Sequence, residues 1–129
     1  MKLKVAFATD DGKTFMGRHF GDALFFDIYE FDNDHISFIK RIKNIVDEED
    51  DVHADPKKAK GISALLLDEK VTVLVSKIFG HNIKRIKKKF VCIVVRDDEI
   101  DIGLKKICEN IEKINIEWEK GQERKHLLL

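Results

Sequence analysis

Residues 2–22, KLKVAFATDDGKTFMGRHFGD, decide how the chain is read. Within the first eight, Val5-Ala6-Phe7-Ala8 runs without a polar break. That is the pattern of a strand apolar on both faces, and so central in a sheet. Residues 10–22 then break every periodicity. Gly12, Gly17 and Gly21 let the backbone turn tightly or approach something closely. Between them stand Lys13, Arg18, His19 and Phe20. A connection of this length in a compact domain is usually functional or disordered, and its imidazole and aromatic content argues for function.

Working outward, residues 23–31 place Leu24, Phe26 and Ile28 on one side and Phe25, Asp27 and Tyr29 on the other. Asp32-Asn33-Asp34 signals a hairpin turn. His35–Lys43 alternates, with Ile36, Phe38 and Ile42 expected inward, as an edge strand protected by its lysines. The acidic run DEEDD at 47–51 reads as a solvated loop. Asp55 as cap and Pro56 as opener predict a helix over 57–69, with Ala59, Ile62 and Leu66 on its inner face. VTVLVS at 71–76 and FVCIVV at 90–95 read as buried strands. Between them lie a second loop, KIFGHN at 77–82, and a short helix over 83–89 that Asn82 is placed to cap. Asp97 or Asp98 should start a last helix, whose apolar stripe is Ile100, Leu104, Ile107, Cys108 and Ile111. From Asn115 only Ile116 and Trp118 offer anchors, so a tail fraying past Gly121 is expected.

The order β-β-β-α-β-α-β-α predicts an α/β fold. Short early loops favour antiparallel strands and helical crossovers parallel ones, giving a five-stranded mixed sheet of order 3-2-1-4-5. Residues 1–114 form one domain in this reading and 115–129 a partly flexible tail. The chain leaves strands 1 and 4 in opposite directions, and ligand crevices of open α/β sheets lie at the carboxyl ends of strands at such a switch point. Those ends carry 10–22 and 77–82, so the two glycine-bearing loops should face each other and line a pocket.

Composition bounds the partners. Twenty-four Lys+Arg balance twenty-four Asp+Glu among 129 residues, so no net field favours nucleic acid or an anionic membrane. The longest apolar runs fall far short of a bilayer span, and the N-terminus turns charged too soon for a secretory signal. Two cysteines, Cys92 and Cys108, make no disulfide framework. A small cytoplasmic protein, monomeric or weakly dimeric, is expected.

Thr9-Asp10, His19-Phe20-Gly21, the aromatic Leu24-Phe25-Phe26, the strand 71–76 and Gly80-His81-Asn82 together resemble the dinitrogenase iron–molybdenum cofactor biosynthesis family, over about residues 1–114. The resemblance implies a ribonuclease H-like fold and non-catalytic binding or carriage of an iron–sulfur or iron–molybdenum-type cluster or precursor, with cluster-biosynthesis proteins as partners. It makes His19 a ligand or contact, with Gly21, Gly80 and Asn82 shaping the pocket. Two positions depart from the family pattern. Ser76-Lys77-Ile78-Phe79 replaces a glycine-rich stretch, and His81 stands where proline is usual.

The candidate binding set is thus Asp10, Arg18, His19, Phe20, Gly21, Lys77, Gly80, His81 and Asn82, with His19 and His81 as metal-ligating imidazoles. Arg18 and Lys77, with Lys13, would balance an anionic ligand. Cys92 and Cys108 read as core side chains. Two other classes compete: a protein-interaction module whose pocket is blocked by Ile78-Phe79, and a ribonuclease H-like nuclease using Asp10 and Asp11. The latter lacks an acid at the end of strand 4 and a basic surplus.

Overall fold

The structure, a computed structural model, describes residues 2–44 and 56–129, and of 56–60 the backbone alone. A mixed sheet of order β3-β2-β1-β4-β5-β6 forms its centre. The strands are β1 (Lys2–Thr9), β2 (Phe25–Asp32), β3 (His35–Lys43), β4 (Val73–Ser76), β5 (Val91–Val94) and β6 (Leu127–Leu128). β1 pairs antiparallel with β2 and parallel with β4, and β2–β3 is antiparallel while β4–β5 and β5–β6 are parallel. The helices are α1 (Pro56–Asp68), α2 (Ile83–Ile86), α3 (Ile100–Glu109) and α4 (Ile111–Glu119). The acidic run at 47–51 and Asp55 lie outside the described residues.

β1 is buried on both faces of the sheet over Val5–Thr9. Successive strand side chains point to opposite faces, so Ala6 and Ala8 join a cluster with Phe26, Leu74 and the α1 residues Ile62 and Leu66. Val5 and Phe7 join another with Val73, Ile93 and the helix residues Ile100, Ile107 and Ile114. The small side chains on the first face leave room for the phenylalanines that enter it from the following loops.

Three expectations are corrected. First, β2 and β3 pair Ile28 with Lys40 but Tyr29 with Phe38, so Ile39 is an extra residue, a β-bulge. A bulge reverses the in–out parity of the strand beyond it. Ile42 therefore packs on the α1 layer and Ile36 on the α3–α4 layer, and the two do not share a face. Phe38, expected inward, is 54% exposed and lies edge-on to Tyr29.

Second, the last helix starts later, at Ile100, and is two helices. Asn110, at φ −123° and ψ 21°, leaves helical geometry between α3 and α4. Its side-chain amide donates to the Lys106 carbonyl at 2.7 Å, satisfying an acceptor freed by the break. The helix expected over 83–89 likewise closes at Ile86. Lys88 and Lys89 donate to the carbonyls three residues back, tightening the chain into turns.

Third, the sheet has six strands, because residues expected as a tail form most of α4 and all of β6. Leu127 and Leu129 pack on the α3–α4 cluster. The Leu129 amide donates to the Val94 carbonyl at 3.0 Å, and Lys106 Nζ donates to the Leu129 carbonyl at 2.8 Å. Arg124 stacks over Trp118 at 4.1 Å and donates to the carbonyls of Trp118 and Lys88. An edge left bare on β5 would expose unpaired backbone groups, and β6 covers part of it.

Candidate functional site

Asp11 builds the first half of the 10–22 loop. Its carboxylate accepts the backbone N–H groups of Lys13 and Thr14, each at 2.8 Å, and the Thr14 hydroxyl. Those backbone bonds, Thr14's first, hold its carboxyl well below the usual range, at about 2. Thr9 Oγ1 donates to the Thr14 carbonyl at 2.6 Å and accepts from the Gly12 amide at 2.9 Å. Gly12, at φ +79°, lies directly on the Arg41 guanidinium, where a Cβ would stand 2.2 Å from Nη2. Arg41 is in turn clamped by the buried Asp27 through bonds of 2.7 and 3.1 Å.

The second half is tied to the strand edge. Asp10 accepts Arg18 Nη2 at 2.9 Å and the Leu24 amide at 3.0 Å, and Arg18 also donates to the Asp22 carbonyl. Phe20 donates its amide to the Ile78 carbonyl at 2.7 Å, and His19 and Ile78 form a parallel bridge beyond the end of β4. The Phe20 ring is fully buried, stacked on Phe79 at 5.2 Å and against Phe26 at 5.0 Å. The His19 ring lies over the backbone of Gly80, where an added Cβ would come within 2.8 Å of Nδ1. With φ at +73°, Gly80 takes a conformation that side chains resist and leaves the space the imidazole fills.

Of the candidate residues, the fold brings His19 onto Gly80 and packs Phe20 on Phe79 of the second loop, with Arg18 and Lys77 each bound to a carboxylate. Lys77 pairs with Asp98. Gly21 presents its carbonyl to the Asn44 amide at 2.9 Å. His81 is exposed at the turn before α2. Asn82 occupies the capping position but in helical conformation, with no side-chain bond to the helix; its backbone carbonyl takes the Arg85 and Ile86 amides instead. Phe79 is 5% exposed and Ile78 41%, so of the bulky pair one is core and the other faces solvent.

Two contributors escape the sequence reading. Residues 96–99, after β5, are tied to the 10–22 loop: Phe15 donates to the Asp98 carbonyl at 2.8 Å and Ile100 to the Lys13 carbonyl at 2.9 Å. The parallel placement of the fifth strand already puts its carboxyl end at this edge, which is the signal that could have found them. Asn44 bonds the carbonyls of Gly21 and Ala23 and carried no sequence signal.

The cysteines stand apart from this edge. Cys92 is buried in β5, and burial pushes its thiol up to about 12. Cys108 lines a groove of about 810 Å³ with Ile111, Ile116 and Asp34, between α3–α4 and the β2–β3 turn. Among the described residues no group of three or more His, Cys, Asp or Glu is arranged to hold a metal ion. A resident cysteine-ligated cluster does not fit these donors.

The family model for the dinitrogenase iron-molybdenum cofactor matches residues 1–113. The chain belongs to that family. No curated protein matches it. Among solved structures, this dinitrogenase iron-molybdenum cofactor family member is similar to a Methanocaldococcus jannaschii protein named for dinitrogenase. The crystal structure of that protein superposes with a TM-score of 0.62 at 23% identity, over 85% of this chain and 91% of the other. An NMR structure, recorded under Methanococcus jannaschii, gives the same TM-score and identity over 86% and 91%. At this identity the likeness concerns the fold, a mixed α/β sheet. The family match supplies the tie to nitrogenase cofactor proteins.

Proposed function

We propose that this protein binds and carries, without catalysis, an anionic iron–sulfur-type cluster or cofactor precursor at the edge formed by residues 10–22 and 77–82. The contact of His19 with Gly80 carries the reading. It sets an imidazole at the carboxyl ends of β1 and β4, between the strand-end loops that carry Arg18 and Lys77. A single imidazole with flanking cations suits a ligand that must be released again, because affinity falls with each missing protein donor. The order β3-β2-β1-β4-β5 supports the ribonuclease H-like interpretation of the sheet. Asp10 and Asp11 spend their carboxylates on loop closure, which favours carriage over a metal-dependent nuclease.

A second reading, a protein-interaction module, draws on one observation: the cations of the edge are already paired, Arg18 with Asp10 and Lys77 with Asp98. Anaerobic titration with an iron–sulfur cluster donor, followed by absorbance, separates the two. The carrier reading expects stoichiometric uptake by the wild type and its loss in His19→Ala. No uptake by the wild type refutes it and leaves the interaction module.

A further inference from the structure

The formal charge of the chain is zero, yet its cations are unevenly paired. Lys2, Arg18, Lys40, Arg41, Lys77, Lys106 and Lys120 all meet carboxylates. Residues 84–89, KRIKKK, hold five cations in six positions. Among the described residues none of these five makes an ion pair. Lys84, Arg85, Lys88 and Lys89 are exposed, while Ile86 between them is 6% exposed and anchors the turn in the core.

The backbone beneath this patch is rigidly held. Lys87, Lys88, Lys89 and Phe90 all donate to carbonyls of Ile83, Arg85 or Ile86. The buried Arg124 guanidinium clamps the Lys88 carbonyl at 2.9 Å from behind. A partner docking here would not have to order the backbone, which removes one entropic cost of association. The patch also adjoins the candidate site, since α2 begins at Ile83 immediately after the 77–82 loop. That loop exposes Ile78, an apolar side chain six residues before Lys84 in the chain.

We infer that Ile78 with Lys84, Arg85 and Lys88 forms a docking surface for an acidic protein partner bearing an apolar contact. In such an interface Ile78 would supply an apolar contact and the cations part of the polar rim. Nucleic acid fits less well. The chain holds as many Asp and Glu as Lys and Arg, so no general basic surplus adds phosphate contacts to those of the patch. That the partner delivers or receives the cluster rests on the carrier reading; the surface itself does not.

The test needs no cluster. A fluorescent peptide of repeated Glu-Leu-Glu-Glu is titrated with the full chain at low salt, read by anisotropy, alongside an oligothymidylate of similar charge. Each variant is checked by circular dichroism. K84E/R85E should weaken peptide binding about tenfold, whereas K105E/K113E, with the same change in net charge at exposed positions elsewhere, should change it less than about twofold. Ile78→Ser should weaken it by about threefold, with unchanged salt dependence. Equal losses in the two double variants would reduce the effect to diffuse charge and overturn the surface. So would absence of peptide binding, or tighter binding of the oligonucleotide. Cluster uptake measured on K84E/R85E stays at the wild-type level if the carrier site is sound, so failure of the surface and failure of the site give different results.

Discussion

At the scale of single residues, the candidate site is a set of local devices, each with a measurable consequence. Gly80 combines a left-handed backbone with the space under His19. Gly80→Ala should therefore destabilise the fold by about 1–2 kcal/mol in urea unfolding and displace the His19 resonances in NMR spectra. Asp27 is 2% exposed and satisfied by Arg41. Arg41→Met should leave that carboxylate unpaired and cost about 1–3 kcal/mol, again by urea unfolding. The Asp11 carboxyl, depressed from 3.8 to about 2, binds its proton less readily in the folded loop than in an unfolded chain. Its contribution to loop order is therefore complete above pH ~4 and is lost as pH falls through ~2. The amide shifts of Lys13 and Thr14 should titrate together with that midpoint, and in Asp11→Asn the titration should vanish. Residues such as Gly80 and His19 could be named from the chain alone because their types are chemically distinctive. Asn44 could not, because a surface asparagine looks the same whether or not two carbonyls await it.

At the scale of elements, strands and helices followed their patterns, and the exceptions arose where a neighbour changed the meaning of a pattern. β3 alternates cleanly in sequence, but the Ile39 bulge turns its halves to opposite layers. No property of Ile39 itself announces this; the register is set by pairing with β2. β6 is two residues long and anchored mainly by Leu127, Leu129, Lys106 and Arg124. Leu127→Asp should strip it from the sheet, lowering stability by roughly 2 kcal/mol and red-shifting the emission of Trp118, which shares its cluster. Unchanged emission and stability would mean that β6 contributes nothing to the packing around Trp118. Within α4, burial alone would raise the pKa of Glu117, but bonds from the Lys125 amide and Lys120 Nζ outweigh it and the net direction is downward. Those bonds join α4 to the chain that leads into β6.

At the scale of the whole molecule, one central strand serves two cores. β1 contributes Ala6 and Ala8 to one layer and Val5 and Phe7 to the other, so neither layer can lose its packing without disturbing the same backbone. Unfolding should then be a single transition. Trp118 fluorescence, which reports on the α3–α4 layer, and far-ultraviolet circular dichroism should give the same urea midpoint; separated midpoints would show that the layers unfold independently. The amino-acid sequence by itself determined the central apolar strand, the order of the first five strands, the helices between them and the two loops that meet at their carboxyl ends. These follow from periodicity, glycine placement and crossover handedness, which are local or topological constraints. Only the tertiary structure decided the bulge in β3, the ties between residues 96–99 and the 10–22 loop, the sixth strand and the burial of the stacked Phe20 and Phe79. Each of these depends on which surface a residue meets far along the chain, and short-range pattern holds no information about a distant partner.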